Sequence, residues 1–181
     1  MKHTFFLLAV LFFISPVARS QKYFTKNGHI SFFSKAPLEN IKADNNQVIN
    51  VLNIPTGAVQ FSMLIKNFHF AKSLMEVHFN ENYMESESYP EASFAGKIIE
   101  DIDFSKPGSY SIRAKGFLFI HGVQQERIIK SELEVKENSI IIHSSFTVLL
   151  NDHKILIPKV VSEKLANEIK VEVLAVLLPK Q

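Results

Sequence analysis

The chain has no cysteine and no tryptophan, and beyond its first twenty residues it has only two arginines, Arg113 and Arg127. Each shortage excludes something. Without cysteine there is no disulfide framework and no thiol nucleophile, so stability must come from a well-filled apolar interior. Setting aside Lys2 and Arg19 takes the formal charge from +2 to zero. No clustered basic face remains of the kind nucleic-acid binding requires. Neither a Gly-x-Ser-x-Gly turn nor a phosphate-binding glycine loop occurs.

The start of the chain reads as an export signal over residues 1–20. Lys2 and His3 form a short basic start, Phe5 to Ile14 is an unbroken apolar run, and Ser15-Pro16 breaks it. Ala18-Arg19-Ser20 then supplies small residues where a signal peptidase would cut. The run is too short to span a bilayer, which takes roughly 20 residues. No later segment is long and apolar enough to do so. The expectation is a mature domain over 21–181, periplasmic or secreted, with no stable membrane span.

What the chain has in quantity is apolar alternation with period two. Val59, Phe61, Met63 and Ile65 share one face, with Gln60 and Ser62 on the other. In Tyr110–Ile120 the even-numbered residues Tyr110, Ile112, Ala114, Gly116, Leu118 and Ile120 face one way, against Arg113 and Lys115. Ile129, Leu133 and Val135 oppose Lys130, Glu132 and Glu134. Ile140–Leu150 and Ile169–Leu177 are rich in β-branched residues, and Gly28–Ser34, Leu38–Asp44, Gln47–Asn53 and Ala92–Ile99 complete the set. Ala43-Asp44-Asn45-Asn46, Lys106-Pro107-Gly108 and Lys136-Glu137-Asn138 read as turns between them. Short connections favour antiparallel pairing. The spacing predicts an all-β domain of about eight or nine strands, closed as a barrel or packed as a sandwich.

One helical interruption is predicted between about Ala71 and Tyr89, where Leu74, Val77, His78, Glu81, Met84 and Glu85 fall at helical spacing before Pro90. A second helical turn is predicted at Ser162–Glu168. His78 and Glu81, three residues apart, could face one metal ion, with His69 or Glu85 beside them. Zinc recruits three or four protein ligands, so a solvated helix face is the simpler reading and no metal is assigned. His121, beside Gly122, reads as a histidine that hydrogen-bonds a loop carbonyl where a strand ends. Asp152-His153 reads as a hairpin end or barrel mouth. No set of residues has the spacing of a catalytic site, and no cofactor is implied. Phe32, Phe61, Phe94, Tyr110 and Phe146 point towards the core by alternation, while Ala92, Gly96, Ala114 and Gly116 leave room beside them.

Three motifs carry a family resemblance: the His78-Phe79 segment, Tyr89-Pro90 with Phe94, and Gly116, Leu118, Ile120, His121, Gly122 and Val123. With Gly28–Phe32 and Thr56–Phe61 they make the chain resemble the YceI-like family along nearly its whole mature length. The resemblance implies an extended antiparallel lipocalin-like β-barrel of about eight strands with one short helical segment. It also implies a long isoprenoid or related lipid amphiphile held in the interior. The chain departs from the family at Phe119, Gln124 and Gln125, and its Leu74–Asn82 run replaces a more cationic one. A neutral isoprenoid, a quinone-like molecule or a fatty amphiphile is therefore as compatible as a diphosphate. The expected function is a non-enzymatic lipid carrier lined by Phe32, Phe61, Met63, Phe94, Ile112, Leu118 and Phe146, with the segment after Phe70 gating its mouth. An envelope protein-interaction module and a lipid-modifying or metal-dependent enzyme are the alternatives.

Overall fold

Alternation turns one face of each strand into a wall, and the pairing of the strands decides whether that wall closes. The computed structural model describes residues 22–35, 40–157 and 167–180. Its strands are β1 (Lys22–Ser34), β2 (Ile41–Asn53), β3 (Ala58–Leu64), β4 (His69–Phe70), β5 (Glu91–Ile98), β6 (Gly108–Ile120), β7 (Val123–Val135), β8 (Ile140–Leu149) and β9 (Glu168–Pro179). All the pairings are antiparallel, in the order β1-β9-β8-β7-β6-β5-β3-β2-β4, and β1 pairs again with β2. Eight strands thus close into a barrel, with the two-residue β4 attached to the edge of β2. The all-β lipocalin-like barrel expected from the sequence is the fold observed.

Burial follows the predicted faces. In β6, Ile112, Ala114, Gly116 and Leu118 are buried while Arg113, Lys115 and Phe117 are exposed. One end of the barrel is packed solid by Leu52, Leu133, Ile140 and Leu177, all essentially inaccessible to solvent. Ile54, Ile102, Phe104 and Tyr110 pack around them. The other end carries the helical segment α1 (Ser73–His78), which continues as a wider π turn over Phe79–Tyr83. The predicted interruption is there, but its helix ends well before Pro90. The Met84 N–H reaches back to the Phe79 carbonyl and Glu85 takes a positive φ of 44°, which turns the chain out of the helix.

Two expectations need correction. Ala43-Asp44-Asn45-Asn46 is no hairpin but lies inside β2, so Leu38–Asp44 and Gln47–Asn53 are not two strands. The register of β1 on β2 slips by one between Gly28↔Val48 and Ile30↔Asn45, which is a β-bulge. Asn45 is buried there, accepting the Gln47 N–H at 2.8 Å and donating to the Leu64 carbonyl at 3.1 Å. Asx chemistry that signals a turn in sequence builds a bulge here. The helical turn expected at Ser162–Glu168 lies outside the described residues up to 166, and Glu168 already belongs to β9.

The second correction concerns Gly96 and Gly116, which face each other across β5 and β6. A Cβ on Gly96 would come within 2.6 Å of the Lys115 carbonyl oxygen and 2.8 Å of the Phe94 ring; one on Gly116 would meet the Ala95 carbonyl. Their smallness is spent on close strand approach, with the Phe94 ring folded over the gap, and not on cavity space. Gly116→Val is expected to lower the stability by about 1–3 kcal/mol in urea unfolding, as overpacking does. Gly108→Ala, whose Cβ would make only an ordinary 3.6 Å contact with Tyr110, is expected to stay within about 1 kcal/mol.

Candidate functional site

Between the packed end and α1 the barrel is hollow. The cavity has a volume of about 460 Å³, within the 300–1,000 Å³ typical of small-molecule sites. Every strand of the barrel except β2, from which only Ile41 reaches it, contributes at least two lining residues. All seven of the lining candidates read from sequence stand on its wall, Phe32 to Phe146 included. Ala92 and Ala114 line it as well, so these two small residues do widen the interior.

The lining is almost wholly apolar. Its polar members are Ser34, Ser93, Ser131, Ser144, Tyr83 and His78, and among the described residues no lysine, arginine, aspartate or glutamate borders it. Ser131 and Ser144 join their hydroxyls at 2.6 Å in the buried wall, satisfying each other. An unpaired charge in such a space would be strongly disfavoured. The cavity suits an uncharged, flexible hydrocarbon.

Its roof is built from four phenylalanines. Phe79 stacks on Phe32 with centroids 5.5 Å apart, and Phe68 and Phe70 complete the cluster at 5.0–5.8 Å. Sequence reasoning picked Phe32 by alternation but missed Phe68, Phe70 and Phe79, which sit outside the long strands. The signal available was Phe-x-Phe at Phe68-His69-Phe70, whose spacing puts both rings on one face of an extended chain. Met75 and His78 of α1 reach the cavity under this roof, while Leu74 and Val77 point to solvent.

The sequence-predicted polar candidates separate. His78 borders the cavity but Glu81 is exposed, and among the described residues no three of His, Asp and Glu gather to hold an ion. Glu76 instead accepts the Phe70 N–H at 3.1 Å and lies 3.5 Å from His69. His121 and Gly122 form the β6–β7 turn, both at positive φ. The His121 Nδ1 meets the His153 carbonyl at 3.1 Å, and its ring packs on Tyr89 at 4.4 Å. A Cβ on Gly122 would strike the Tyr89 ring at 2.7 Å. Two sequence motifs far apart in the chain therefore meet in one contact.

Asp152 and His153 lie in a 3₁₀ turn, Leu150–His153, with His153 fully buried and Asp152 exposed. Burial holds the His153 imidazole below its ordinary pKa; the Val123 and Ile120 backbones and Asp152 favour the cation, and Arg127 opposes it. The folded state then binds a proton less readily than the unfolded chain. Stability from this residue is complete above the unfolded value near 6.5 and is lost as pH falls below it. Thermal unfolding from pH 8 to 5 is expected to show this fall, and His153→Phe to reduce it.

Comparison with known proteins agrees with this geometry. The model of the YceI-like domain matches residues 18–177. No curated protein matches the sequence. In structure the chain is similar to a polyisoprenoid-binding domain from Saccharophagus degradans implicated in plant cell wall breakdown, at TM-score 0.75 and 9% identity, covering 88% of this chain and 98% of that one. It is similar to Burkholderia cenocepacia BcnA at TM-score 0.69 and 11% identity, covering 83% and 95%. The YceI protein of Campylobacter jejuni gives 0.62 and 14%, covering 81% and 89%. At these identities the likeness is one of fold.

Proposed function

Since the chain belongs to the YceI-like family, we propose that it is an exported, non-enzymatic carrier that shelters the apolar tail of a long-chain isoprenoid or similar amphiphile. The observation that carries this reading is the closed wall around an apolar cavity of about 460 Å³ without a charged lining residue among those described. The neighbour from Saccharophagus degradans is a polyisoprenoid-binding domain, which supports the ligand class. The leader-like start of the chain supports work in the periplasm or outside the cell.

The mechanism is physical. Phe32, Phe61, Met63, Phe94, Ile112, Leu118 and Phe146 replace water around the tail, and the barrel wall keeps water out. About 20 methylene equivalents at ~0.8 kcal/mol each would contribute roughly 16 kcal/mol gross. Ordering costs reduce this, yet micromolar binding requires only about 8 kcal/mol net. A partly inserted tail therefore suffices. With no lysine or arginine among the described lining residues, a neutral headgroup such as an alcohol or quinone fits better than a diphosphate. The polar atoms of His78 and Tyr83 are available to meet it.

The direct test is native mass spectrometry of the protein from its own host, followed by solvent extraction. A bound lipid of defined mass is expected; a ligand-free mass that persists after exposure to isoprenoid alcohols and fatty acids would overturn the reading. The absence of tryptophan makes Phe146→Trp a background-free reporter of cavity occupancy. Placing Ala114→Phe in that background is expected to weaken binding by about tenfold or more, ~1.4 kcal/mol, by filling the cavity.

A further inference from the structure

The barrel wall is not sealed equally all round. β6 and β7 pair over their full length, from Gly108↔Val135 to Ile120↔Val123, as do β8 and β9, from Ile140↔Leu177 to Leu149↔Glu168. The ladder between β7 and β8 runs only from Val135↔Ile140 to Ser131↔Ser144. Beyond it, residues 123–130 of β7 and 145–149 of β8 continue as strands without pairing to each other. Side chains bridge this seam instead. The Arg127 guanidinium donates to the Thr147 carbonyl at 2.6 Å, and the Gln125 amide donates to the Asp152 carbonyl at 2.9 Å. The Leu150–His153 turn closes the top, held by His121 and by the burial of His153 and Ile155.

What lies on each side of the seam gives it a use. On the inside, Ile129, Ser131, Ser144, Phe146 and Val148 line the cavity. On the outside, Ile128 of β7 and Leu149 of β8 are about half exposed, at 54% and 44%. Phe117 on β6 lies diagonal to Ile128, and Leu156 beyond the turn is 78% exposed. Large apolar side chains gathered on a surface mark a site of contact. The charges beside them are balanced: Lys115 pairs with Glu126 at 3.1 Å, and Lys130 and Glu132 follow Ile128 along the same exposed face. An apolar outer patch, a break in the ladder and an apolar cavity coincide along one line.

We propose that the β7–β8 seam is a lateral portal through which the ligand's tail passes between the cavity and a lipid bilayer, with Ile128, Leu149, Phe117 and Leu156 seating this side of the barrel on the bilayer. The proposal rests on the lipid-carrier reading. Passage at the α1 end would require parting the four packed phenylalanine rings. Passage through the seam parts side-chain bonds and at most the end rung of the β7–β8 ladder, and it never exposes the tail to water. The balanced charges fit a zwitterionic surface and not a strongly anionic one.

The test separates rate from affinity. The protein is loaded with a pyrene-labelled sixteen-carbon fatty acid (~16 carbons, a single apolar tail), and transfer to phosphatidylcholine vesicles is followed by stopped flow. Arg127→Ala with Gln125→Ala is expected to speed transfer about tenfold at unchanged equilibrium affinity, as loss of a gate does. Ser131→Cys with Ser144→Cys, the only thiols in the chain, pins the last rung of the ladder; oxidation is expected to slow transfer and reductant to restore it. Ile128→Ser with Leu149→Ser is expected to slow transfer, and Leu74→Ser with Val77→Ser on α1 to leave it unchanged. Rates indifferent to the seam variants, or governed by Leu74 and Val77, would overturn the portal alone. Failure of the wild-type chain to bind the probe or an isoprenoid alcohol would overturn the carrier reading and the portal together. If the double cysteine variant does not fold, the Arg127→Ala and Gln125→Ala pair decides.

Discussion

The pairing of β1 with β2 is the interaction on which the rest depends. It runs from Lys22↔Asn53 to Ser34↔Ile41 and turns a sheet with two free edges into a closed wall. Closure removes the edges that would otherwise invite aggregation. It also relieves the interior of the duty to hold two sheets together face to face. A sandwich cannot be hollow, because its core is its only adhesive. A barrel is held by its ladders as well as by its contents, so an interior of about 460 Å³ can stay unfilled in a chain without a disulfide. The solid end built on Leu52, Leu133, Ile140 and Leu177 supplies the dense packing that the hollow end forgoes.

The close approach at Gly96 and Gly116 and the contact of Tyr89 with the His121-Gly122 turn act on the same part of the wall. β5 is drawn against β6 at mid-strand by the absence of two Cβ atoms, and the chain entering β5 is packed on the turn leaving β6. Together they fix where Phe94 and Leu118, paired across the two strands, face the cavity. This gives a physical reason for the Tyr-Pro-x-x-x-Phe and Ile-His-Gly-Val patterns to occur together: each is half of one joint. The resemblance that identified the family in sequence was therefore a reading of wall construction, not of ligand chemistry.

That distinction explains what was legible. The facing of Phe61, Met63, Ile112, Leu118 and Phe146 could be read because alternation needs only neighbours in sequence. The barrel could be anticipated because many short antiparallel strands must close or stack. Asn45 misled, because the Asx geometry that turns a hairpin also builds a bulge, and only the register of β1 against β2 distinguishes them. Phe79 was hidden in a helical pattern whose wide final turn sets it into the roof. The break between Ser131 and Ser144 was invisible, since β7 and β8 both continue as strands beyond it with burial still alternating, and the pairing of one with the other is written in neither. Pairing partners are long-range facts; facing is local.

The uneven wall also bears on how a carrier can be both tight and reversible. An apolar tail surrounded by phenylalanine and branched side chains gains from every methylene buried, so affinity alone would make release slow. A fully laddered barrel would add the cost of breaking many backbone bonds to each exchange. Here one stretch of wall is held by Arg127, Gln125 and His121, whose bonds to carbonyls can part without unravelling a strand. The strands on either side remain anchored, β7 by its full ladder to β6 and β8 by its full ladder to β9. Local opening is thus uncoupled from global unfolding, which is what low-stability segments permit in proteins that exchange ligands. The same logic places the histidine whose burial disfavours its charge, His153, in the turn that closes this stretch and not in the packed end. A weak place in the wall is compatible with a stable barrel only because it is bounded by strong ones.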